Sequence, residues 1–227
     1  MRSGLGASWV PRSPGIGSSL WRALDEVVPE LEEWALGAGV GLKLGLLNEL
    51  LRRAGDTGGW LLVSDDDVSF VRGDVVELVS LCERARLDLA QPARADAAAD
   101  HAITVARPRS RARRTTFVEI GPMFVVGPRW RDRILPFPEA RGMGYGLELD
   151  WFDLPQAGCV LGISDAVRSL HEGERGEDYD DAREIDRVHE EFEARGFSGW
   201  GDLQHTLGTW RPWQLAPPWS SRGGSAP

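Results

Sequence analysis

The sequence predicts an α/β domain with a mainly parallel central sheet flanked by helices. Two patterns carry that prediction. Short, continuously apolar runs such as "WLLVS" (60–64) and "GCVLGIS" (158–164) are bounded by turn residues, as expected of strands covered on both faces. Between such runs lie segments whose apolar residues recur three and four apart, the spacing of helices that bury one face. Strands alternating with helices through the first half of the chain are the pattern of a parallel sheet.

Taken in order, Ser18 or Ser19 caps a first helix that carries Leu20, Trp21, Leu24, Val27 and Val28 on one face, and Pro29 ends or kinks it. The next stretch, "VVPELEEWALG", forms a strand only poorly. Leucines 42, 46, 47, 50 and 51 make a helical stripe closed by Arg52, Arg53 and Gly55. "WLLVS" is the strand that follows, and Val75, Val79 and Cys82 share the face of another helix. "LDLAQPA" and "HAITVA" read as strands, and the β-branched and aromatic "TTFVEIGPMFVV" reads as two short strands around Gly121–Pro122. After "GCVLGIS", residues Ile185, Val188 and Phe192 mark one face of a charged helix that stops at Gly196. Residues 1–212 read as one domain and 213–227, ending "PPWSSRGGSAP", as a disordered tail.

Composition narrows the function. The chain of 227 residues has 26 basic against 35 acidic side chains, a formal net charge of -9, which disfavours nucleic acid or an anionic membrane as the main partner. No apolar run approaches the roughly 18 residues of a membrane span, and the N-terminus lacks the apolar core of a secretory signal. Two cysteines, Cys82 and Cys159, make no disulfide framework and no zinc motif, and both read as buried hydrophobes. The expectation is a soluble cytoplasmic protein.

The strand "WLLVS" runs into Asp65, Asp66 and Asp67. Adjacent carboxylates repel, and such a cluster is costly unless a cation or protonation relieves it. Carboxylate ligands suit Mg²⁺ or Mn²⁺, and ligands of parallel sheets sit at the carboxyl ends of strands. In extended chain, residues two apart point the same way, so Asp65 and Asp67 face one site while Asp66 turns away to cap or brace. The plainer alternative is a solvated turn ahead of a helix N-terminus, where acids are favoured in any case.

Several segments together resemble the nucleotide-diphosphate-sugar glycosyltransferases of the GT-A fold, and more narrowly a group of bacterial glycosyltransferase-like proteins. They are "PRSPGIGSSLW", "GLKLGLLNELL", "WLLVSDDDV", "LDLAQPA", "TTFVEIGPMFVV", "GYGLELDW" and "ISDAVRSLHEG", in the family's order from about Pro11 to Trp213. The resemblance implies that Asp65 and Asp67 hold the Mn²⁺ or Mg²⁺ ion bridging the donor diphosphate, with His171 of "SLHEG" as a further metal ligand. It implies that Lys43 and Asn48 lie near the nucleotide and that Arg12 and Ser13 meet its base or ribose; Asp66 is counted with these cofactor-binding residues. In "GYGLELDW" it places Glu148 where the family has its acid, with Asp150 as an extra carboxylate, so that one of them takes the proton from an acceptor hydroxyl. The family's first strand would precede "PRSPGIG", where the sequence is not strand-like, so a GT-A-like domain without its N-terminal strand is expected.

Other candidates stand beside these. Arg107, Arg109, Arg111, Arg113 and Arg114 could grip a diphosphate or an anionic acceptor, or form a solvated loop. Of ten tryptophans, Trp151 beside the acids could stack on a sugar or base, while Trp21 and Trp34 read as core. An apolar strand running into Asp-x-Asp also describes a magnesium-dependent phosphohydrolase of the haloacid-dehalogenase type, with Asp180 and Asp181 as its later acids. A non-catalytic, degenerate binding protein is the third class.

Overall fold

The computed structural model describes residues 19–23, 26–27, 29–55, 58–96, 99–172 and 182–214. Strand β1 (Trp21–Ala23) pairs in parallel with β2 (Ala35–Ala38), across a 3₁₀ turn at Pro29–Trp34. A strand thus stands where the first helix is expected. A segment of that length, stopped by Pro29, is too short for a stable isolated helix, whereas its backbone finds hydrogen-bonding partners in β2. Leu24 and Val28 of the expected helix lie outside the described residues.

Helix α1 (Lys43–Ala54) ends at Gly55, which takes a positive φ of 68° as its C-cap and donates its N–H to Leu51. The buried face carries Leu44 and Asn48, with Leu47 and Leu51 packed on the core, while Leu42 is exposed. Leu46 and Leu50 of the expected stripe are only half-buried.

Strands β3 (Leu61–Ser64) and β4 (Val68–Arg72) flank the acidic turn, and helix α2 (Val75–Ala85) follows, capped by Asp74 accepting from Glu77 N–H. Then come β5 (Leu89–Arg94), β6 (Ala112–Thr115), β7 (Met123–Val126), short helices α3 (Arg131–Ile134) and α4 (Leu147–Trp151), β8 (Leu161–His171), α5 (Ala182–Ala194) and β9 (Thr206–Trp210). The main sheet runs β3-β7-β5-β8-β6-β9, and β4 pairs with the far end of β8.

This sheet is mixed rather than mainly parallel. Among the described residues, the only strand pair in it running the same way is β5 with β8; β3–β7, β5–β7, β6–β8, β6–β9 and β4–β8 are all antiparallel. The cause is the connections. A parallel pair needs a long crossover, usually a helix, and none of the helices described separates β5 from β6, or β6 from β7. The stretch "HAITVA", expected as a strand, is a turn that touches the sheet through one bridge, Val105 to Arg94.

Burial on both faces is as expected. Along β7, Phe124 and Val126 enter one core with Leu44, Val63 and Trp151, while Val125 enters the opposite core with Leu78, Leu81 and Val167. A third cluster packs Phe117 and Ile163 against Val188 and Phe192 of α5. Trp151 is a core residue in edge contact with Phe124. It is therefore not free to stack on a sugar.

The arginine-rich stretch is likewise not an anion grip as a unit. Arg113 and Asp165 are both 0% exposed and joined by two hydrogen bonds of 2.9 and 3.0 Å. The guanidinium also donates to the carbonyls of Ile103 and Val105. The pair fills the irregularity in β8 where its pairing with β5 jumps from Ser164 to Arg168. Arg111 pairs with Glu77.

Candidate metal centre and buried acids

Strand β3 ends at Ser64, and Asp65–Asp67 form the turn into β4. Asp65 is anchored from two sides. Its N–H donates to Pro122 O at 2.9 Å, and its carboxylate meets Lys43 Nζ at 2.6 and 2.8 Å. Asp66 is exposed at the tip of the turn. Because β4 pairs antiparallel with the end of β8, Val68 lies opposite His171. That register puts His171 Nε2 2.9 Å from Asp67 Oδ2. Burial opposes ionisation of Asp67, but its hydrogen bond to His171 and the charges of His171 and Lys43 outweigh it, and the carboxyl sits below its ordinary range.

Asp65, Asp67 and His171 each offer a ligand atom, all within 4.8 Å of one another. Asp67 Oδ1 is buried and has no hydrogen-bond partner among the described residues. A buried unpaired carboxylate oxygen is costly, and here it belongs to a set of two carboxylates and an imidazole. Oxygen-rich donors with one nitrogen fit Mn²⁺ or Mg²⁺. The residues present therefore fit the ion that the sequence resemblance implies.

The segment between β6 and β7 links this centre to a second set of acids. A Cβ added at Gly121 would stand 3.6 Å from Lys43 Nζ and 3.7 Å from Asp65 Oδ2, so the chain passes directly beside the ion pair. One residue earlier, Ile120 N–H donates to Glu148 Oε1 at 3.0 Å. Glu148 sits in the first turn of α4, behind Gly146 at φ 84°. It is 4% exposed, and its Oε2 is buried without a hydrogen-bond partner among the described residues. Desolvation raises its pKa, opposed by the Ile120 N–H, the nearby Trp200 indole and the charge of Lys43.

The remaining expected residues are placed differently. Asp150, two positions on, is held by Arg141 through bonds of 2.9 and 2.6 Å, and Arg141 also binds Glu191. Asn48 is buried, with its amide spent on Phe137 N–H, Phe137 O and Glu139. It braces the 137–139 loop from within. Arg12 and Ser13 lie outside the described residues, as do Asp180 and Asp181.

Sequence reasoning missed Glu119. This residue is 7% exposed, and its Oε2 is buried and unpartnered among the described residues. Its pKa is pushed up to about 8, chiefly by desolvation, with Arg94 opposing and the charges of Glu148 and Asp100 adding to the rise. The signal was present: a lone acid inside the apolar run "TFVEIGPMFVV" is an acid destined for burial.

Comparison of the chain with protein-family models, with curated proteins and with solved structures gives no match. None of the described helices is long and apolar enough to cross a membrane.

Proposed function

We propose that the protein is a metal-dependent glycosyltransferase of GT-A type, moving a sugar from a nucleotide-diphosphate sugar to an acceptor hydroxyl. One observation carries the reading: Asp65, Asp67 and His171 converge at the end of β3, with an orphaned carboxylate oxygen among them. The buried Glu148, tied to the neighbouring loop, supports it. A divalent ion bound there would neutralise charge developing on the donor diphosphate.

The chain's own groups account for the rest. Lys43 adds a fixed positive charge beside the acids. Glu148, desolvated and so a stronger base than a surface carboxylate, takes the acceptor's hydroxyl proton as that oxygen attacks the anomeric carbon. The bond from anomeric carbon to phosphate oxygen breaks, its electron pair leaves on the nucleoside diphosphate, and the new glycosidic bond forms. This displacement inverts the anomeric centre. Asp150 is the weaker candidate because Arg141 occupies its carboxylate.

Thermal unfolding with a panel of nucleoside diphosphates and their sugars, with Mn²⁺ or with EDTA, tests the reading. A ligand at a hundred times its Kd stabilises by about 2.7 kcal/mol. A melting temperature raised only when nucleotide and Mn²⁺ are both present is the expected result. Release of inorganic phosphate from phosphomonoesters, without nucleotide-dependent stabilisation, would instead support a phosphohydrolase.

A further inference from the structure

We infer that Glu119 is a positioning acid for Glu148: the two buried carboxyls share one negative charge, with the proton held on Glu119 and the charge on Glu148. The inference rests on the proposed role of Glu148 as base. Three observations lead to it. Both side chains are more than nine-tenths buried, and each keeps one oxygen without a hydrogen-bond partner among the described residues. Their backbones are interlocked, because the N–H that binds Glu148 Oε1 belongs to Ile120, the residue after Glu119. The segment that carries Glu119 and Ile120 is pinned to β5 by Glu119 N–H donating to Gln91 Oε1 at 2.6 Å.

Two unscreened carboxylates cannot both ionise cheaply in such a place, and coupled acids titrate as a pair. The surroundings decide which keeps the proton. Burial raises the pKa of Glu148 as well, but its carboxylate accepts the Ile120 N–H and feels the charge of Lys43, and both oppose that rise. Glu119 is pushed up to about 8, chiefly by desolvation, with Arg94 and Gln91 opposing and the carboxylates of Glu148 and Asp100 adding to the rise; no N–H bond like the one from Ile120 to Glu148 holds its Oε2, which is unpartnered among the described residues. With Glu119 neutral, Glu148 stays on the Ile120 N–H with its second oxygen free for an incoming proton. With both ionised, repulsion drives Glu148 off that N–H, and activity falls.

The test is a carboxyl titration by NMR on the whole protein labelled with ¹³C at glutamate side chains, in wild type, Glu119→Gln and Glu148→Gln. One wild-type resonance should titrate near pH 8, vanish in Glu119→Gln, and move down by about one unit or more in Glu148→Gln. Should Glu119→Gln fail to fold, the Glu148→Gln shift still decides the matter. Persistence of the alkaline resonance in Glu119→Gln, or no shift in Glu148→Gln, overturns the inference. A second arm follows slow hydrolysis of a nucleotide-sugar against pH. Wild type should lose rate above about pH 8 while Glu119→Gln, which mimics the protonated acid, keeps it. Identical alkaline limbs in both would reduce Glu119 to a structural part and overturn the positioning role. The NMR arm needs no donor, so a shared proton without any nucleotide-sugar turnover would sink the transferase reading and leave the acid pair standing.

Discussion

Lys43 Nζ lies 2.6 Å from Asp65 Oδ1 and 2.8 Å from Oδ2, so the first residue of α1 neutralises the first acid of the turn after β3. At the end of β8, His171 Nε2 lies 2.9 Å from Asp67 Oδ2. The Lys43 pair relieves part of the repulsion among the three adjacent acids.

Replacing Lys43 with Met should therefore expose the repulsion. The pair is partly exposed, so the metal-free protein should lose only about 1 kcal/mol. Mn²⁺ alone should then raise the melting temperature more in Lys43→Met than in wild type. Equal shifts in the two proteins would mean that Lys43 and the ion do not act on the same carboxylates.

Asp67→Asn removes one of the two carboxylates of the candidate metal set. The apo variant should be slightly less stable than wild type near neutral pH, because the lowered folded pKa of Asp67 means that its charge stabilises the fold. The joint stabilisation by Mn²⁺ and a nucleoside diphosphate should disappear in thermal unfolding. A variant that keeps the full shift would remove Asp67 from the metal site.

The pH dependence of stability follows from Glu119. Its folded pKa of about 8 lies above its ordinary 4.5, so its contribution is fully present below pH 4.5. As pH rises toward 8, the unfolded chain releases the proton while the folded chain retains it, and stability falls; above 8 the loss is complete. Urea midpoints should thus drop between pH 5 and 8 in wild type and change less in Glu119→Gln. Parallel curves for the two would contradict the burial of this acid.

Arg113→Met should be among the most damaging substitutions in the sheet. It leaves Asp165 charged and fully buried, along with the carbonyls of Ile103 and Val105. Breaking such a pair costs about 3–5 kcal/mol, readable as a lower urea midpoint. The double replacement Arg113→Met with Asp165→Leu should recover much of the loss. No recovery would mean that the cost lies in packing rather than in the stranded charge.

Much of this was legible from local pattern. The apolar run before Asp65, the Gly55 stop and the face of Ile185, Val188 and Phe192 are short-range signals, and each element formed. Strand direction was not legible, because it depends on whether a connection carries a helix, and the stretches before β6 and β7 do not. At the site, Asp65 and Asp67 are visible as a motif. The approach of His171 depends on the β4–β8 register, which only the fold supplies; its expected role came from resemblance alone. Glu119 was legible only as a lone acid inside an apolar run; its neighbour Glu148 lies in another element, which only the fold brings near. The tryptophan beside the acids, Trp151, faced the core because α4 turns it toward Phe124.

The most direct test of the account is the rate at which a nucleotide-sugar releases its nucleoside diphosphate, to water until an acceptor is found. It should be measured for wild type with Mn²⁺, wild type with EDTA, and Glu148→Gln with Mn²⁺. Glu148→Gln keeps shape and donor affinity but cannot accept the proton, so its rate should fall by roughly 10²–10⁴-fold. EDTA should abolish turnover and donor binding alike. A Glu148→Gln rate equal to wild type, or turnover indifferent to EDTA, would contradict the account.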